Sequence, residues 1–322
     1  MADPVIVVTR RWPEAVEEAL RTRFPDVRLN ADDVPLGPDG LRAALRDADA
    51  VLPCVADPFP ADFFADQLRT RFLGNFGVGY SNIDVDAAAK AGIVVTNTPE
   101  VLTDTTADTA MTLLLMIARR AGEGERELRA GRWAGWRPTH MMGADVTGKT
   151  LGILGMGRIG QAVARRAHFG FRMPVVWYDP ADFEPAHGIP DARRVGTVEE
   201  VLEVADFVSL HMPGGGGNSR LMDATRLACM KPTAFLINSA RGDIIDEAAL
   251  VEALRSGTIG GAALDVYERE PEVPLALREL DNAVLLPHLG SATLETRTAM
   301  GMLVLENLAA FLDGREPPCR VA

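Results

Sequence analysis

The stretch Leu151-Gly152-Ile153-Leu154-Gly155-Met156-Gly157-Arg158-Ile159-Gly160 decides the fold expected for the second half of the chain. An apolar run typical of a buried strand leads into three glycines spaced G-x-G-x-x-G, and a helical pattern follows over residues 161–169. In such a unit the glycines permit a tight turn, a close approach of backbone to pyrophosphate, and packing of helix on strand. We therefore predict that a dinucleotide binds at this helix N-terminus. The predicted contacts are Gly155, Gly157, Arg158, Ile159 and Gly160.

An acidic residue stands where the next strand is expected to end. Asp179 follows Val175-Val176-Trp177-Tyr178, roughly 20 residues beyond the motif, where a carboxylate can bind the ribose 2′-hydroxyl and repel a 2′-phosphate. This position favours NAD over NADP as the cofactor. The alternative is that Asp179 only caps the turn at Pro180. Arg193 and Arg194 lie too far along the sequence to be expected as a phosphate clamp.

Strand-like runs alternate with helical patterns on both sides of the motif, which predicts parallel sheets with crossover helices, the α/β class. The N-terminal runs begin at Val5, Ala50, Arg71 and Ile93. Six runs in the second half match the strands of a dinucleotide-binding sheet. They are Thr150-Leu151-Gly152-Ile153-Leu154, Val175-Val176-Trp177-Tyr178, Phe207-Val208-Ser209-Leu210, Ala234-Phe235-Leu236-Ile237-Asn238, Gly261-Ala262-Ala263-Leu264 and Ala283-Val284-Leu285-Leu286.

Helical patterns cover residues 12–24, 60–68, 84–91, 104–120 and 291–312. The last of these has no following strand, so we expect it to pack on the N-terminal domain. The sequence thus predicts two doubly wound, Rossmann/flavodoxin-like domains. A substrate domain, residues 1–98 and 289–322, is interrupted by an NAD-binding domain, residues 99–288, and the active site is expected between them.

The composition excludes several classes of protein. The chain has 322 residues and a net charge of -12, which disfavours a nucleic-acid binder. It contains neither an apolar stretch of roughly 20 residues, as a membrane helix requires, nor a secretory signal at its start. Cys54, Cys229 and Cys319 show no metal-binding or disulfide spacing. We expect a cytoplasmic protein that binds no metal, membrane or nucleic acid.

Three further segments follow strand-like runs and carry ionisable side chains. They are Asn238-Ser239-Ala240-Arg241-Gly242-Asp243, Asp265-Val266-Tyr267-Glu268-Arg269-Glu270-Pro271 and Pro287-His288-Leu289-Gly290-Ser291-Ala292-Thr293. In a parallel sheet all three emerge at the carboxyl edge, where ligands bind, so Arg, Glu and His are expected to converge. The alternatives are a salt bridge from Arg241 to Asp243 or Asp246 and a structural role for His288. His168 and His187 have no evident partners and are interpreted as ordinary surface or core residues.

These segments resemble the D-isomer-specific 2-hydroxyacid dehydrogenase family over essentially the whole chain. The resemblance includes Gly77-Val78-Gly79-Tyr80-Ser81-Asn82-Ile83-Asp84, residues 97–108 and the glycine motif, in the family's order. Residues 101–106, Trp136-Arg137-Pro138-Thr139 and the His288 segment look most like glyoxylate and hydroxypyruvate reductases. The resemblance implies NADH-dependent reduction of glyoxylate to glycolate or of hydroxypyruvate to D-glycerate.

The resemblance also implies a role for individual residues. Arg241 binds the carboxylate and keto oxygens, and His288 donates a proton to the developing alkoxide. Glu270 orients His288; Glu268 is the rival, but the family places this residue immediately before Pro271. The backbone of Val78 and Gly79 binds the substrate together with Arg241 and His288. Further cofactor contacts are Thr106, His211, Met212, Pro213, Ala240, Asp265, which would hold the carboxamide, and Gly290.

Other functions stay open at this point. Relatives that act on D-lactate, phosphoglycerate or phosphite share the Arg, Glu and His, and co-repressors of this fold family sense NAD without a catalytic role. The chain also departs from the family after Pro213, where Gly214-Gly215-Gly216-Gly217 replaces a Thr-Pro-Glu type of turn. Because glycines lose much conformational entropy on ordering, we expect this loop to be mobile.

The segment over residues 133–148 has no helical or strand period and looks like an arm or loop. Trp133, Trp136, Met141 and Met142 are large apolar side chains without an evident place in their own domain. Such patches are typical of protein interfaces, and in the resembled family this arm embraces a second subunit. We therefore expect a homodimer formed through the cofactor domains, with residues 136–140 near the partner's substrate site. The alternative is that the segment folds against its own chain.

Overall fold

The computed structural model describes residues 3–182 and 188–322, so the expectation for His187 falls outside the described residues. The strands are β1 Val5–Val8, β2 Asp26–Arg28, β3 Ala50–Leu52, β4 Phe72–Gly74, β5 Val94–Thr96, β6 Leu151–Leu154, β7 Val175–Tyr178, β8 Arg193–Arg194, β9 Phe207–Leu210, β10 Phe235–Asn238, β11 Gly261–Leu264 and β12 Ala283–Leu285. The helices are α1 Glu14–Arg23, α2 Gly37–Asp47, α3 Val85–Lys90, α4 Thr103–Ala118, α5 Ala121–Arg129, α6 Arg158–Phe171, α7 Val198–Val204, α8 Ala224–Cys229, α9 Glu247–Ser256, α10 Leu275–Arg278 and α11 Leu294–Leu312.

The chain divides into two compact units. The first contains Met1–Leu102 and Ser291–Ala322, and the second is the continuous segment Thr103–Gly290. The divisions therefore fall after residues 102 and 290, whereas the sequence predicted domain boundaries after residues 98 and 288. The first unit is discontinuous in sequence and the second is not.

The first unit is built on a five-stranded sheet in the order β2-β1-β3-β4-β5, in which every pairing is parallel. The sequence patterns missed β2 and α2. Strand β2 is only three residues long and has no fully buried position. The helix predicted over residues 60–68 is wrong; only a 3-10 turn, Ala61–Phe64, forms there. Helix α11 packs on α1 so closely that a Cβ at Gly301 would lie 2.7 Å from both γ-carbons of Val16.

The second unit is built on a seven-stranded parallel sheet in the order β12-β11-β10-β9-β6-β7-β8. It contains the six predicted strands and a seventh, β8, that the sequence patterns missed. Successive strand residues enter cores on opposite faces: Ile153 packs with α4 and α6, whereas Leu154 packs with α7, α8 and α9. Both faces are therefore covered by helices, which confirms the predicted α/β class with two parallel sheets.

The long helix predicted over residues 104–120 forms as α4, and a separate helix follows it. Helix α4 ends at Ala118, Arg120 has a left-handed φ of 52°, and α5 begins at Ala121. Residues 133–148 form neither helix nor strand, as predicted. No helix in the described ranges combines the length and apolar character needed to cross a membrane. In the same ranges, no group of three or more His, Cys, Asp or Glu side chains could hold a metal ion.

Candidate active site

The three residues predicted to converge come from three neighbouring strands. Arg241 follows β10, Glu270 follows β11 and His288 follows β12, and these strands are paired in that order, all parallel. Their carboxyl ends therefore lie along one edge of the second unit's sheet. At such an edge the side chains of the following loops can meet over a ligand.

His288 and Glu270 form a direct pair at this edge. The ring Nδ1 of His288 lies 2.7 Å from Oε2 of Glu270, and each side chain is about one-third exposed. Oε1 of Glu270 accepts the backbone N–H of Tyr267 at 3.0 Å. Burial opposes the ionisation of Glu270, but the hydrogen bond and charge of His288 outweigh it and hold the pKa of this carboxyl below its ordinary value.

The rival carboxylate, Glu268, is engaged elsewhere. It forms an ion pair with Arg220 at 3.0 Å, and its backbone N–H donates to Glu247. The sequence favoured Glu270 because it precedes Pro271, and Glu270 is the carboxylate that contacts His288.

The loop that carries His288 is held by Asp265. The backbone carbonyl of Asp265 accepts the His288 N–H at 2.9 Å. Its side chain is fully buried and accepts the N–H groups of Leu289 at 2.7 Å and Gly290 at 2.8 Å. Burial is the main cause that raises the pKa of Asp265. These bonds fix His288 at a left-handed φ of 55°, a conformation that costs a non-glycine residue roughly 1–2 kcal/mol.

The structure gives Asp265 a further role that the sequence did not predict. The sequence assigned this carboxylate to the nicotinamide carboxamide, whereas in the structure each of its oxygens already accepts a loop N–H. Any contact with a carboxamide would use the remaining lone pairs. Thr106 and Gly290 do lie beside it: a Cβ at Gly290 would stand 3.3 Å from Oδ2 of Asp265 and 3.6 Å from Cγ2 of Thr106.

Arg241 has no carboxylate partner among the described residues. Its Nη1 donates to the Ala240 carbonyl at 2.6 Å. Neither predicted alternative partner pairs with it: Asp246 caps α9, and Asp243 accepts the backbone N–H of Gly215. Burial lowers the pKa of Arg241, and the nearby charges of Glu270 and Asp243 oppose that effect. A half-buried guanidinium thus retains free donors near the His288 pair.

The glycine turn between β6 and α6 has the geometry that its spacing predicted. Gly155 adopts a φ of 94°, and a Cβ there would lie 2.8 Å from the backbone of His211. A Cβ at Gly160 would lie 2.1 Å from the Gly155 carbonyl oxygen, whereas one at Gly157 would meet nothing within 4 Å. Helix α6 also begins without a side-chain cap. A helix N-terminus without such a cap can bind an anion, and this turn fits a dinucleotide pyrophosphate.

Asp179 is held by the same turn. Oδ2 accepts the Met156 N–H at 2.9 Å and Oδ1 accepts the Ala181 N–H at 3.0 Å. The second bond spans Pro180, so the capping of that turn, the alternative left open by the sequence, is present. Arg158 and Ile159 occupy the first turn of α6, which begins before the helical pattern predicted over residues 161–169.

The matches to known proteins agree with these observations. The family described as D-isomer specific 2-hydroxyacid dehydrogenase, NAD binding domain, matches residues 111–290. The chain is 44% identical over 320 residues to the glyoxylate reductase of Korarchaeum cryptofilum (strain OPF8), which covers 98% of this chain and 95% of that protein. The chain belongs to the D-isomer-specific 2-hydroxyacid dehydrogenases.

Solved structures of other dehydrogenases share the whole fold. A Polaromonas sp. JS6 66 protein assigned to the same family has a TM-score of 0.92 and 36% identity, with 100% of both chains covered. The NADPH-dependent glyoxylate/hydroxypyruvate reductase of Sinorhizobium meliloti, in complex with NADP and malonate, has a TM-score of 0.86 and 37% identity. That comparison covers 100% of this chain and 97% of the other.

The residues after β9 line the dehydrogenase glycine turn. His211 donates its backbone N–H to Leu154, and its Nε2 lies 2.8 Å from the buried hydroxyl of Ser209. Burial lowers the pKa of His211 to about 3, so its ring is neutral near pH 7. His211, which Met212 and Pro213 follow, is therefore an uncharged residue beside the glycine turn. His168, by contrast, bonds the Met173 carbonyl at 3.1 Å, an ordinary structural contact.

The four-glycine loop is anchored, although the sequence led us to expect a mobile one. Gly215 donates its N–H to Oδ2 of Asp243 at 2.6 Å, and Asn218 donates to the Pro213 carbonyl at 3.0 Å. A Cβ at Gly214 would lie 2.2 Å from Oδ1 of Asp243. The glycine therefore makes room for the Asp243 carboxylate. Sequence reasoning missed this role because residues 214 and 243 come into contact only in the folded protein.

In the first unit, asparagine side chains shape the predicted substrate loop. Asn75, which is fully buried, donates to the Gly79 carbonyl at 2.9 Å, and Asn97 donates to the Val78 carbonyl at 2.8 Å. Asn82 in turn donates to Oδ1 of Asn75 at 3.3 Å. These hydrogen bonds fix the carbonyls of Val78 and Gly79, whereas the N–H groups of the same two residues have no acceptor among the described residues. Sequence reasoning did not single out these asparagines.

Proposed function

We propose that this dehydrogenase reduces a small 2-keto acid, glyoxylate to glycolate or hydroxypyruvate to D-glycerate, with NADH as the hydride donor. The observation that carries the proposal is the guanidinium of Arg241, which has no carboxylate partner among the described residues and lies at the same sheet edge as the His288–Glu270 pair. The glyoxylate reductase name of the Korarchaeum relative supports the choice of substrate.

Arg241 recognises the substrate in this proposal. Its planar fork can donate to a carboxylate oxygen and to the keto oxygen at once, which a lysine cannot do. We propose as additional donors for the carboxylate the N–H groups of Val78 and Gly79, which have no acceptor in the part of the chain that the structure describes. Donors aimed at the keto oxygen stabilise the negative charge that develops there during reduction.

His288 supplies the proton. Its Nδ1 is engaged by Glu270 at 2.7 Å, which leaves Nε2 for the substrate. When bound, reduced nicotinamide supplies a hydride to the carbonyl carbon. The Nε2 proton passes to the keto oxygen as the C=O π bond breaks, which gives a hydroxyl group and a neutral imidazole. Glu270 keeps the ring oriented throughout.

The proposed cofactor contacts belong to the second unit. The uncapped start of α6 and the open space at Gly157 support pyrophosphate binding by Gly155, Gly157 and Gly160 with Arg158 and Ile159. We further propose Thr106, His211, Met212, Pro213, Ala240, Asp265 and Gly290 as contacts. Asp179 is the basis for proposing NADH in preference to NADPH, because its carboxylate repels a 2′-phosphate.

A panel of 2-keto acids tests the reaction by loss of NADH absorbance at 340 nm. Turnover of glyoxylate or hydroxypyruvate is the expected result. Turnover only of pyruvate or another acid would change the substrate but keep the reaction. Binding of NADH without turnover of any acid would refute the enzyme and favour an NAD-sensing protein.

We also propose a homodimer formed through the arm at residues 133–148. The exposed fractions of Trp136, Met142 and Trp133 are 82%, 66% and 52%, whereas Met141 is partly covered by its own chain, with its sulfur 3.6 Å from the position of a Cβ on Gly124. Such an apolar surface is typical of an interface.

Sedimentation at micromolar concentration tests the assembly, and a stable monomer would refute it. Trp136→Ala should raise the KM of the 2-keto acid if the arm reaches the partner's substrate site. Phe169→Ala is the control, because Phe169 is 63% exposed on α6, outside the arm. A cytoplasmic location stays a prediction of the sequence.

A further inference from the structure

A cleft in the second unit lies beside the end of β7, where Asp179 stands. Its volume is about 410 Å³, and it is lined by Tyr178, Asp179, Pro180, Arg194, Val195 and Gly196. The wall formed by residues 194–196 exists because β8 pairs with β7, with Trp177 opposite Arg194. This strand pair brings Arg194 to Asp179, although the sequence separation made such a contact unexpected.

Arg194 is held beside the Asp179 turn by several contacts. Its Nη2 donates to the backbone carbonyls of Asp179 at 3.3 Å and Ala181 at 2.8 Å. Its guanidinium carbon lies 5.3 Å from the centre of the Trp177 ring. Its Nη1 donates to Asp182 at 2.6 Å, but the Asp182 side chain is 98% exposed. The guanidinium is thus positioned mainly by backbone and ring contacts, and its only ionic partner among the described residues lies in solvent.

The carboxylate of Asp179 and the guanidinium of Arg194 have opposite effects on a phosphate in this cleft. Asp179 is fixed by two backbone N–H groups and pairs with no cationic side chain in the described ranges, so its charge repels a phosphate on the ribose 2′-oxygen. Arg194 attracts the same group. An exposed ion pair such as Arg194–Asp182 stabilises little, whereas a guanidinium binds phosphate through strong paired hydrogen bonds.

We propose that Arg194 is a second determinant of cofactor choice, the cation that receives the 2′-phosphate of NADPH once Asp179 no longer repels it. The inference rests on the proposed use of a nicotinamide dinucleotide. It means that the preference between NADH and NADPH is set by the balance of two opposed charges at the end of β7, and that removal of one carboxylate is enough to open the site to NADPH.

Binding of 2′,5′-ADP and 5′-ADP, measured by calorimetry, tests the proposal without requiring turnover. The ratio of the two Kd values isolates the contribution of the 2′-phosphate. In Asp179→Asn this ratio should shift in favour of 2′,5′-ADP. In the double variant Asp179→Asn/Arg194→Gln the gain should fall by about tenfold or more, the effect of losing a hydrogen bond to a charged group.

Asp179→Asn/Arg193→Gln is the matched control. It removes the same charge from the neighbouring residue of β8, whose side chain points to the other face of the sheet, and it should keep the gain. If Arg194→Gln leaves the ratio of the Asp179→Asn variant unchanged, or if Arg193→Gln lowers it equally, the role of Arg194 is refuted. Tight 5′-ADP binding without turnover of any 2-keto acid would instead refute the proposed reaction while leaving the Arg194 result interpretable.

Discussion

Alanine substitutions in the glycine turn should separate the glycines that the fold requires from the one that the cofactor requires. At Gly155 a φ of 94° and a Cβ 2.8 Å from the backbone of His211 impose both strain and overlap. A non-glycine residue in the left-handed region costs roughly 1–2 kcal/mol, and overpacking adds roughly 1–3 kcal/mol. Gly155→Ala should therefore destabilise the protein by about 2–5 kcal/mol.

Gly157→Ala should behave in the opposite way. A Cβ at this position meets no atom within 4 Å and the φ of -68° is ordinary, so the stability of the protein without nucleotide should change by no more than about 0.5 kcal/mol. The methyl group would instead occupy the space into which a pyrophosphate must come. We expect the Kd of NADH to rise by at least about tenfold, because displaced phosphate contacts are charge-assisted hydrogen bonds.

Thermal denaturation without nucleotide and NADH titration by fluorescence give the two quantities. Gly170→Ala is the control, since Gly170 lies near the far end of α6 with open space around it; it should leave NADH binding unchanged and stabilise the helix slightly. The reasoning is refuted if Gly157→Ala destabilises the protein as much as Gly155→Ala does, or if Gly157→Ala binds NADH normally.

Four further substitutions test the rest of the site. His288→Gln should lower kcat by about 10²–10⁴-fold while the Kd of NADH stays unchanged; near-normal turnover would remove His288 as the proton donor. Arg241→Lys should raise KM and lower kcat together, because a single ammonium cannot span two oxygens; a change in KM alone would contradict its action on the keto oxygen. Gly214→Ala should weaken NADH binding through the 2.2 Å overlap with Asp243, and Asp243→Ala in the same chain should restore part of it; absence of rescue would disprove the coupling. Glu270 has a pKa below its ordinary 4.5, so its pair with His288 stabilises the fold above that pH and is lost as the pH falls through the folded pKa; Glu270→Gln should therefore lower Tm more at pH 7 than at pH 4, and an equal loss at both would contradict the ionic pair.

Much of the second unit was predictable because its chemistry follows local patterns. The strand, turn and helix around Gly155 and Gly160 are set by residues within ten positions, and the parallel order of strands brings Arg241, Glu270 and His288 to one edge. The choice between Glu268 and Glu270 also agreed with the structure, but it came from the family resemblance to the position before Pro271. No local pattern distinguishes these two carboxylates.

The features that sequence reasoning missed depend on contacts between distant segments. Strand β8 consists of two exposed arginines, a pair that has no strand signal until it lies against β7. The hydrogen bond from the His288 loop to Asp265 likewise joins residues more than 20 positions apart. The same is true of the close approach between Gly214 and Asp243. Such couplings are set by tertiary packing rather than by propensity or spacing.

The discontinuity of the first unit has a consequence for the order in which the protein is made. Its sheet is synthesised first, yet α11, which supplies Val304, Leu305 and Leu308 to the core containing Trp12 and Val16, leaves the ribosome only after the whole second unit. The continuous segment Thr103–Gly290 can complete its own core earlier. We therefore expect the order of cotranslational folding to be the reverse of the usual N-terminal-first sequence. During that interval the nascent chain exposes the apolar side chains that α11 later covers.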